Sequence, residues 1–420
     1  MAVDARRTYE IRCPVYGFVT LDDLEWQIIR VPAFQRLRRT RQLGWTDYVF
    51  PGAMHTRFEH SLGVMHMATM LYDGIVARSR DLLQSEFGYN VGGFEGHRAL
   101  IRMAALLHDV GHGPFSHAAE DLLPVRDPET GERYGHEQYS AEIVRRCFSD
   151  VISNHPLNIN WRLSADDVAN LLEGKPEAGN ALFWRDLITG QLDADRMDYL
   201  LRDSLHCGVR YGQYDWQRLV HTIVAMPGEE GGPRIGVTEG GWHAAEGLIV
   251  ARYFMFTQVY FHKTRVIYDH HLQKALAEFL PNGNFPPPSG KRLERYLEWD
   301  DWRVLGLLAR GKGGEHGARL ATRDHFREIN HTSERPSPGE LEQLDGWRAA
   351  LGDLLAAEVS AEKSWYKVGP ADIQVLAETP HPSVAALSKY SSVVANIDPI
   401  SQVRLYARPE DREAAVDCIT

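Results

Sequence analysis

The chain of 420 residues has only four cysteines, and they are far apart in the sequence. Cys13, Cys147, Cys207 and Cys418 have neither the short spacing of a zinc site nor the dense pattern of a disulfide framework. They are expected to be reduced thiols, as in proteins of the cytoplasm. We therefore expect a cytoplasmic protein.

Long apolar segments are also lacking. No run of hydrophobic residues approaches the roughly 20 residues that span a bilayer, and residues 1–7 lead into no hydrophobic signal region. We therefore expect no membrane partner. With 44% hydrophobic and 25% charged residues, the composition is that of a globular protein able to bury a large core.

The chain has no excess of positive charge. Its formal net charge is −11, with 46 lysines and arginines against 57 aspartates and glutamates. Proteins that bind nucleic acid without regard to sequence depend on a positive surface. The charge balance therefore argues against broad nucleic-acid binding, although it leaves nucleic acid open as a partner.

What the sequence does contain is an adjacent His-Asp pair, His108 and Asp109, followed by His112 and His117. The apolar residues 99–107 have helical spacing, so the pair is expected near the end of a buried helix. Imidazole nitrogen and carboxylate oxygen together bind borderline divalent metals, and further histidines suit proton transfer. The alternative is an ordinary helix C-terminus, where histidines interact favourably with the helix dipole.

Two ligands hold a metal too weakly, so others must come from elsewhere in the chain. His60 closely follows an Arg and a Glu, begins a helical run, and is the first choice for a further ligand. Four carboxylates recur beside two arginines in Gln191–Asp203. Among them Asp195 stands out because Arg196 follows it and Tyr199 lies four residues later, on the same helix face. A solvated, charged helix is the alternative interpretation of this segment.

Periodicity and turn residues predict several elements. Helices are expected at 60–80, 96–108 and 242–280, and a hairpin from 222–226 and 235–238. Ser164 is expected to cap a helix. The Pro/Gly-rich segment 281–290 predicts a boundary between a helical core and a C-terminal lobe, and Gly311–Gly317 predicts a loop.

In order, His60, His108-Asp109 and Asp195 resemble the H…HD…D pattern of the HD-domain metal-dependent phosphohydrolases. Within that group the chain is similar to the SAM-and-HD-domain deoxynucleoside triphosphate triphosphohydrolases and their bacterial relatives, without a SAM domain. The resemblance is dense to about residue 203 and sparse after about residue 271. It is carried by Pro32–Arg38, Gln42–Gly44, Tyr48–Ala53, Arg57–Gly63, His108–His117 and Asp195–Tyr199.

The resemblance implies a fold and an activity. The expected fold is mainly helical (α+β), with an HD-domain helical core and small β elements in residues 1–280 and a C-terminal α+β lobe in residues 281–420. The expected reaction is hydrolysis of a deoxynucleoside triphosphate (dNTP) to deoxynucleoside and inorganic tripolyphosphate, with metal-activated water attacking the α-phosphorus. Nucleotide-pool control, with antiphage defence as an extension, and a homo-oligomeric state are also implied.

The resemblance further assigns a metal site and a proton-transfer site. Two imidazoles and two carboxylates suit Fe, Mn, Zn or Ni better than Mg²⁺, which would accompany the substrate phosphates. The implied metal ligands are His60, His108, Asp109 and Asp195. The implied catalytic residues are His112, His117, Glu120 and His136, with His117 protonating the departing 5′ oxygen and Glu120 orienting it.

Substrate contacts are assigned in the same way. The implied set is Gln42, Leu43, Arg57, Arg196, Tyr199, Asp203, Arg252 and Tyr260. In the resembled family, the residues matching Gln42 and Asp203 hold the 3′-hydroxyl. Those matching Leu43 and Tyr260 leave no room for a 2′-hydroxyl. Forcing a ribose oxygen against them would cost roughly 1–3 kcal/mol. Taken alone, Leu43 and Tyr260 are ordinary core residues, and packing is the alternative.

Arg30 and Phe261 are among the positions that depart from the resembled pattern. Arg30 replaces an acidic residue that guanine-activated members use to recognise an activator, so activation by GTP is not expected. Phe261 stands where relatives place a polar residue facing the base, so base preference is left open.

Two other functions compete with the leading hypothesis. One is an HD-type phosphodiesterase or nucleotidase acting on ribonucleotides, cyclic nucleotides or single-stranded ends. The other is a nucleotide-responsive interaction module with little turnover, which the presence of Arg57, His112, His117 and Asp195 disfavours.

Overall fold

The fold is taken from a computed structural model, which describes residues 7–228, 232–363, 366, 371–377 and 382–420. Helices form most of this part of the chain, so the predicted mainly helical α+β fold is confirmed. The α-helices of seven residues or more are Asp23–Arg30 (α1), Arg57–Phe87 (α2), Val91–Leu107 (α3), His136–Ile143 (α4), Ala165–Glu173 (α5), Ala194–Cys207 (α6), Trp216–Thr222 (α7), Trp242–Met255 (α8), Lys263–Phe279 (α9), Gly290–Leu297 (α10), Asp301–Ala309 (α11), Gly314–Thr322 (α12), Pro338–Leu351 (α13) and Arg412–Ile419 (α14).

The strands of the described residues form three small sheets. Their bounds are Tyr9–Cys13 (β1), Gly17–Leu21 (β2), Ile223–Pro227 (β3), Pro233–Thr238 (β4), Arg327–His331 (β5), Ala357–Lys363 (β6), Gln374–Ala377 (β7), Ser383–Ala386 (β8) and Ile400–Ala407 (β9). The first sheet is the antiparallel pair β1-β2, the second has the order β3-β4-β7-β8, and the third has the order β5-β9-β6. The predicted hairpin is confirmed, because β3 and β4 pair antiparallel with Ile223 opposite Val237.

Local hydrogen bonds fix the starts of two helices, one three residues before the predicted start at His60 and one at the predicted cap, Ser164. The Thr56 N–H donates to Glu59 Oε1 (2.9 Å) immediately before α2, which places His60 in the first turn of that helix. Ser164 caps α5, since its Oγ accepts the Asp167 N–H (3.2 Å). Helix α3 ends at Leu107, so His108 directly follows a buried apolar segment.

Two predicted elements are wrong in extent. The expected helix 242–280 is two helices, because residues 256–260 widen into a π-helical turn and His262 is extended (ψ 131°). The His262 side chain then accepts the Thr264 N–H (3.2 Å) and so caps α9. The expected loop 311–317 ends early, because α12 begins at Gly314 after the left-handed Gly313 (φ 91°).

The C-terminal third contacts the helical core closely. Strand β4 pairs in parallel with β7, so chain segments from both sides of residue 280 share one sheet. Leu293, Tyr296 and Trp299 are buried in the same hydrophobic cluster as α2 and α3. The division at residue 280 stays a prediction. No helix in the described part of the chain is long and apolar enough to cross a membrane.

Candidate metal centre and active site

Three helix ends bring the four predicted metal ligands together. The nearest ligand atoms of His60, His108 and Asp195 all lie within 4.8 Å of one another. Asp109 adjoins the same set, with Oδ1 3.2 Å from His108 Nε2 and Oδ2 3.5 Å from His60 Nε2. Asp195 Oδ1 is 3.0 Å from His60 Nε2, and its side chain is 36% exposed whereas the other three are buried.

Hydrogen bonds at the outer ring nitrogens orient both imidazoles towards this point. His60 Nδ1 lies 2.8 Å from Asp198 Oδ2, and His108 Nδ1 lies 2.7 Å from the Ala105 carbonyl oxygen. Because each Nδ1 is the donor in these contacts, each Nε2 is the nitrogen that would carry the lone pair towards a metal once the ring is neutral. Among the described residues, the buried Nε2 of His108 has no hydrogen-bond partner. Two imidazole nitrogens and two carboxylates converging in this way fit a divalent transition metal.

The electrostatics favour positive charge at this point. Burial lowers the pKa of His60, but the hydrogen bonds with Asp195 and Asp198 raise it to about 10. Burial likewise raises the pKa of Asp195, but its contacts with His108 and His60 hold that pKa well below its usual range. The carboxylates therefore remain ionised and stabilise a cation, either a proton or a metal ion, between the histidines.

Asp198 is a positioning residue that the sequence analysis did not single out. Its carboxylate accepts two hydrogen bonds of 2.8 Å from Arg202 while contacting His60 Nδ1. A Cβ at Gly63 would lie 2.0 Å from Asp198 Oδ1, so only glycine fits there. Asp198 places negative charge beside His60 Nδ1, which would strengthen His60 as a metal ligand.

Asp198→Asn is therefore expected to weaken metal binding by roughly 10- to 100-fold, the usual effect of losing such a carboxylate. Calorimetric titration of metal-free protein with Zn²⁺ measures the change, and thermal unfolding checks that the variant is folded. Asp73→Asn is the matched control, because Asp73 is an exposed carboxylate on α2, the helix that carries His60, and is paired with Arg98. An unchanged affinity in a folded Asp198→Asn protein would contradict this role.

The predicted catalytic residues form a second cluster centred on Glu120. Its Oε2 lies 3.0 Å from His117 Nδ1, and its Oε1 lies 2.6 Å from His136 Nδ1 and 3.5 Å from His112 Nδ1. The rings of His112 and His136 stack with centroids 3.9 Å apart. His112 Nε2 is 3.2 Å from Asp109 Oδ1, so this cluster adjoins the metal ligands directly.

The charges in this cluster follow from burial and from Glu120. Burial raises the pKa of Glu120, but His117 and His136 hold it far below its usual range, so Glu120 is a carboxylate. Burial lowers the pKa of His136, but the hydrogen bond with Glu120 raises it to about 9. Burial and the nearby Arg57 lower the pKa of His112, which is therefore neutral. His117 is the outer member, with 61% of its side chain exposed.

A cavity of about 240 Å³ opens beside both clusters. Every predicted substrate-binding residue except Arg196 lines it, as does His117. The lining also includes Phe115, Ser116, Phe256 and Arg265, which the sequence analysis did not assign. Arg196 lies outside the lining among the described residues; its guanidinium contacts the Gly190 carbonyl and lies 3.4 Å from Asp193 Oδ2. Its role in neutralising phosphate stays a prediction.

Polar contacts define the two sides of the cavity. Arg57 is buried, contacts the Asp109 carboxylate, and donates from Nε to Ser116 Oγ (2.7 Å), so it lies next to the metal ligands. Asp203 accepts the Tyr260 hydroxyl (2.6 Å) and lies 2.7 Å from His55 Nε2. The buried Oε1 of Gln42 has no hydrogen-bond partner within the described chain and is available to a ligand hydroxyl.

The backbone immediately before His117, which lies in the short 3-10 helix Ser116–Leu122, is unusual. Phe115 and Ser116 are both left-handed (φ 56° and 59°), which is uncommon away from glycine. The buried Asp301 accepts the Phe115 N–H (2.7 Å) and the Arg41 N–H (2.9 Å), and burial raises its pKa to about 7. The sequence gives no sign of this contact, because Asp301 lies in a different part of the chain, at the start of α11.

Two families match consecutive parts of this chain. Residues 57–203 match the family described as HD domain, which includes all four predicted metal ligands. Residues 214–346 match the family described as HD associated region, which includes Asp301, Arg252 and Tyr260.

Individual relatives are similar to this chain over part of their own length. The uncharacterized protein YwfO of Bacillus subtilis is 37% identical over 59% of this chain and 51% of YwfO. The deoxynucleoside triphosphate triphosphohydrolase SAMHD1 homolog of Dictyostelium discoideum is 34% identical over 49% of this chain and 38% of that protein. The chain thus spans about half, or less, of the length of these curated relatives. The crystal structure of a hypothetical protein from Aquifex aeolicus superimposes with a TM-score of 0.80 and 29% identity, over 99% of this chain and 100% of that one.

Proposed function

The chain belongs to the HD-domain proteins and carries an HD-associated region, and from that premise we propose that it is a metal-dependent dNTP triphosphohydrolase. The products would be a deoxynucleoside and inorganic tripolyphosphate. The observation that carries the proposal is one cavity, lined by Gln42, Leu43, Asp203 and Tyr260, that adjoins the His/Asp ligand set through Arg57. The name of the Dictyostelium relative supports the same substrate class.

His60, His108, Asp109 and Asp195 would hold the metal. A divalent ion bound there supplies Lewis-acid stabilisation of phosphate charge and lowers the pKa of a water molecule. Arg57, fixed by Asp109 and Ser116, directs its guanidinium into the phosphate side of the cavity and offsets negative charge there. Arg252, which also lines the cavity, is the second candidate for phosphate binding.

His117 would hold the proton that the departing 5′ oxygen requires. Its Nδ1 lies 3.0 Å from the ionised Glu120, which orients the ring and leaves Nε2 as the atom that would carry the transferred proton. Glu120 also holds His136, whose pKa of about 9 keeps that ring positive at neutral pH. The positive His136 ring would favour phosphate negative charge on this side of the cavity.

The sugar would be selected by a rigid wall and a hydrogen-bonding pair. The Tyr260 ring is fixed by its hydroxyl bond to Asp203, and Leu43 is almost completely buried, so neither moves away easily from a 2′-hydroxyl. Gln42 and Asp203 provide polar atoms on the same cavity surface for a 3′-hydroxyl. A homo-oligomeric assembly and a role in nucleotide-pool control stay predictions.

The test is kcat/KM for each deoxynucleotide and its ribonucleotide counterpart, with tripolyphosphate as the measured product. We expect the deoxynucleotides to be preferred by roughly 5- to 150-fold, the equivalent of one desolvated, unpaired hydroxyl. Leu43→Ala should narrow that ratio by making room for the extra oxygen. Asp203→Ala should instead slow deoxynucleotide hydrolysis, because a charge-assisted hydrogen bond is lost.

Leu341→Ala is the control, since Leu341 is an exposed leucine on α13 far from the cavity in sequence. Equal wild-type values for the two sugars would reject the deoxynucleotide assignment. That outcome would favour the broader phosphodiesterase or nucleotidase function, and products other than tripolyphosphate would do the same.

A further inference from the structure

Arg265 is the one charged residue of the cavity lining, within the described chain, to which neither the metal site nor the sugar and phosphate contacts assign a role. Its guanidinium is held in place, because Nη1 donates to the Tyr260 carbonyl (2.6 Å) and Nη2 pairs with Asp269 Oδ2 (3.0 Å). Its side chain is still 20% exposed. A fixed arginine that retains access to a cavity can present its remaining N–H groups to a ligand.

The contacts of Arg265 place it beside the sugar wall, the part of the cavity lined by Leu43 and Tyr260. Arg57 marks the phosphate side through its bond to Asp109, and Tyr199 lies one helical turn after Asp195. Arg265, by contrast, donates a hydrogen bond to the Tyr260 carbonyl. The Tyr260 ring forms part of the sugar wall, where its hydroxyl is held by Asp203. A base attached to a sugar at this wall would extend towards the remaining lining, which is aromatic (Phe115 and Phe256) apart from Arg265.

Phe261 is absent from the cavity lining and offers a base no polar group at the end formed by Phe115, Phe256 and Arg265. It is buried in a separate hydrophobic cluster and stacks on Phe256 with ring centroids 5.7 Å apart. Asp269, which holds Arg265, is ion-paired through Oδ2, while its Oδ1 is buried without a hydrogen-bond partner among the described residues. The Asp269 carboxylate therefore fixes the position of the Arg265 guanidinium.

We propose that Arg265 is a specificity-determining residue that reads the base, and that it favours guanine and thymine over adenine and cytosine. This inference rests on the proposed dNTP hydrolysis. Arginine offers only hydrogen-bond donors. Guanine O6 and thymine O4 are acceptors, whereas adenine and cytosine carry a donor amino group at the corresponding position. Phe256 and Phe115 provide apolar surface that accepts any base ring.

The experiment measures kcat/KM of the metal-loaded 420-residue chain for dGTP, dTTP, dATP and dCTP. We expect dGTP and dTTP to exceed dATP and dCTP by roughly tenfold, the low end of the effect of one charge-assisted hydrogen bond. Arg265→Gln should bring that ratio close to one. Arg265→Lys, which keeps the charge but not the planar fork, should lower the ratio less than Arg265→Gln does. Arg303→Gln, at an exposed arginine paired with Glu298, is the matched control.

The possible outcomes distinguish a failure of the proposed dNTP hydrolysis from a failure of base recognition by Arg265. If no dNTP yields tripolyphosphate, the proposed function fails. If dNTPs are hydrolysed but Arg265→Gln slows all four equally, Arg265 binds phosphate or sugar and the inference is overturned. An unchanged base ratio in a folded Arg265→Gln protein overturns it as well.

Discussion

Asp109→Ala is expected to lose bound metal and dNTP hydrolysis together. Asp109 joins the two clusters, because its carboxylate lies 3.2 Å from both His108 Nε2 and His112 Nε2 and contacts Arg57. His60 and His108 provide neutral ligands, and the remaining carboxylate, Asp195, is partly exposed. Without Asp109 the site loses negative charge that a dication requires, and buried Arg57 loses its counter-ion.

Metal content by mass spectrometry and tripolyphosphate release are the two measurements. Asp109→Asn is the companion variant, because it keeps the shape of the side chain and separates loss of charge from a folding defect. Asp73→Ala serves as the control at an exposed carboxylate. Full activity in a metal-free Asp109→Ala protein would exclude the proposed metal site.

Local physical signals account for the parts of the fold that the sequence predicts. The apolar periodicity of residues 99–107 and the capping by Ser164 depend on residues a few positions apart, and both helices are present. The break at residues 256–262 was not predicted, because the apolar pattern continues through it. The break consists of a wider helical turn and an extended His262, and no glycine or proline in residues 256–262 marks it in the sequence.

The site shows the same division. His60, His108, Asp109 and Asp195 converge as the resemblance implied, because residue type and order already restrict which side chains can ligate together. The supporting residues Asp198 and Asp301 could not be predicted from the sequence, because their contacts join segments that are far apart in the chain. Asp198 contacts His60 across 138 positions, and Asp301 contacts Phe115 across 186 positions.

The candidate metal-binding residues can thus be recognised in the sequence, whereas the residues that position the site cannot. Asp301 supports two successive left-handed residues immediately before His117 from within the HD-associated region. Arg265 enters the cavity from the same region. The segment with the weaker sequence resemblance therefore contributes to the geometry of the cavity, whereas the HD domain contains the four proposed metal ligands.

His117→Ala is expected to leave the metal bound and to lower kcat by roughly 10²- to 10⁴-fold, the usual cost of losing a general acid. The reason is that His117 contacts Glu120 and the cavity but none of the four metal ligands, so its removal leaves their contacts unchanged. Metal analysis and kcat on dGTP measure the two properties separately. His331→Ala is the control, because His331 is a comparably exposed histidine that pairs with a glutamate, Glu328, on β5. Wild-type values of both metal content and rate would move the proton donor to another residue, and a joint loss of metal and rate would show that His117 supports the metal site instead.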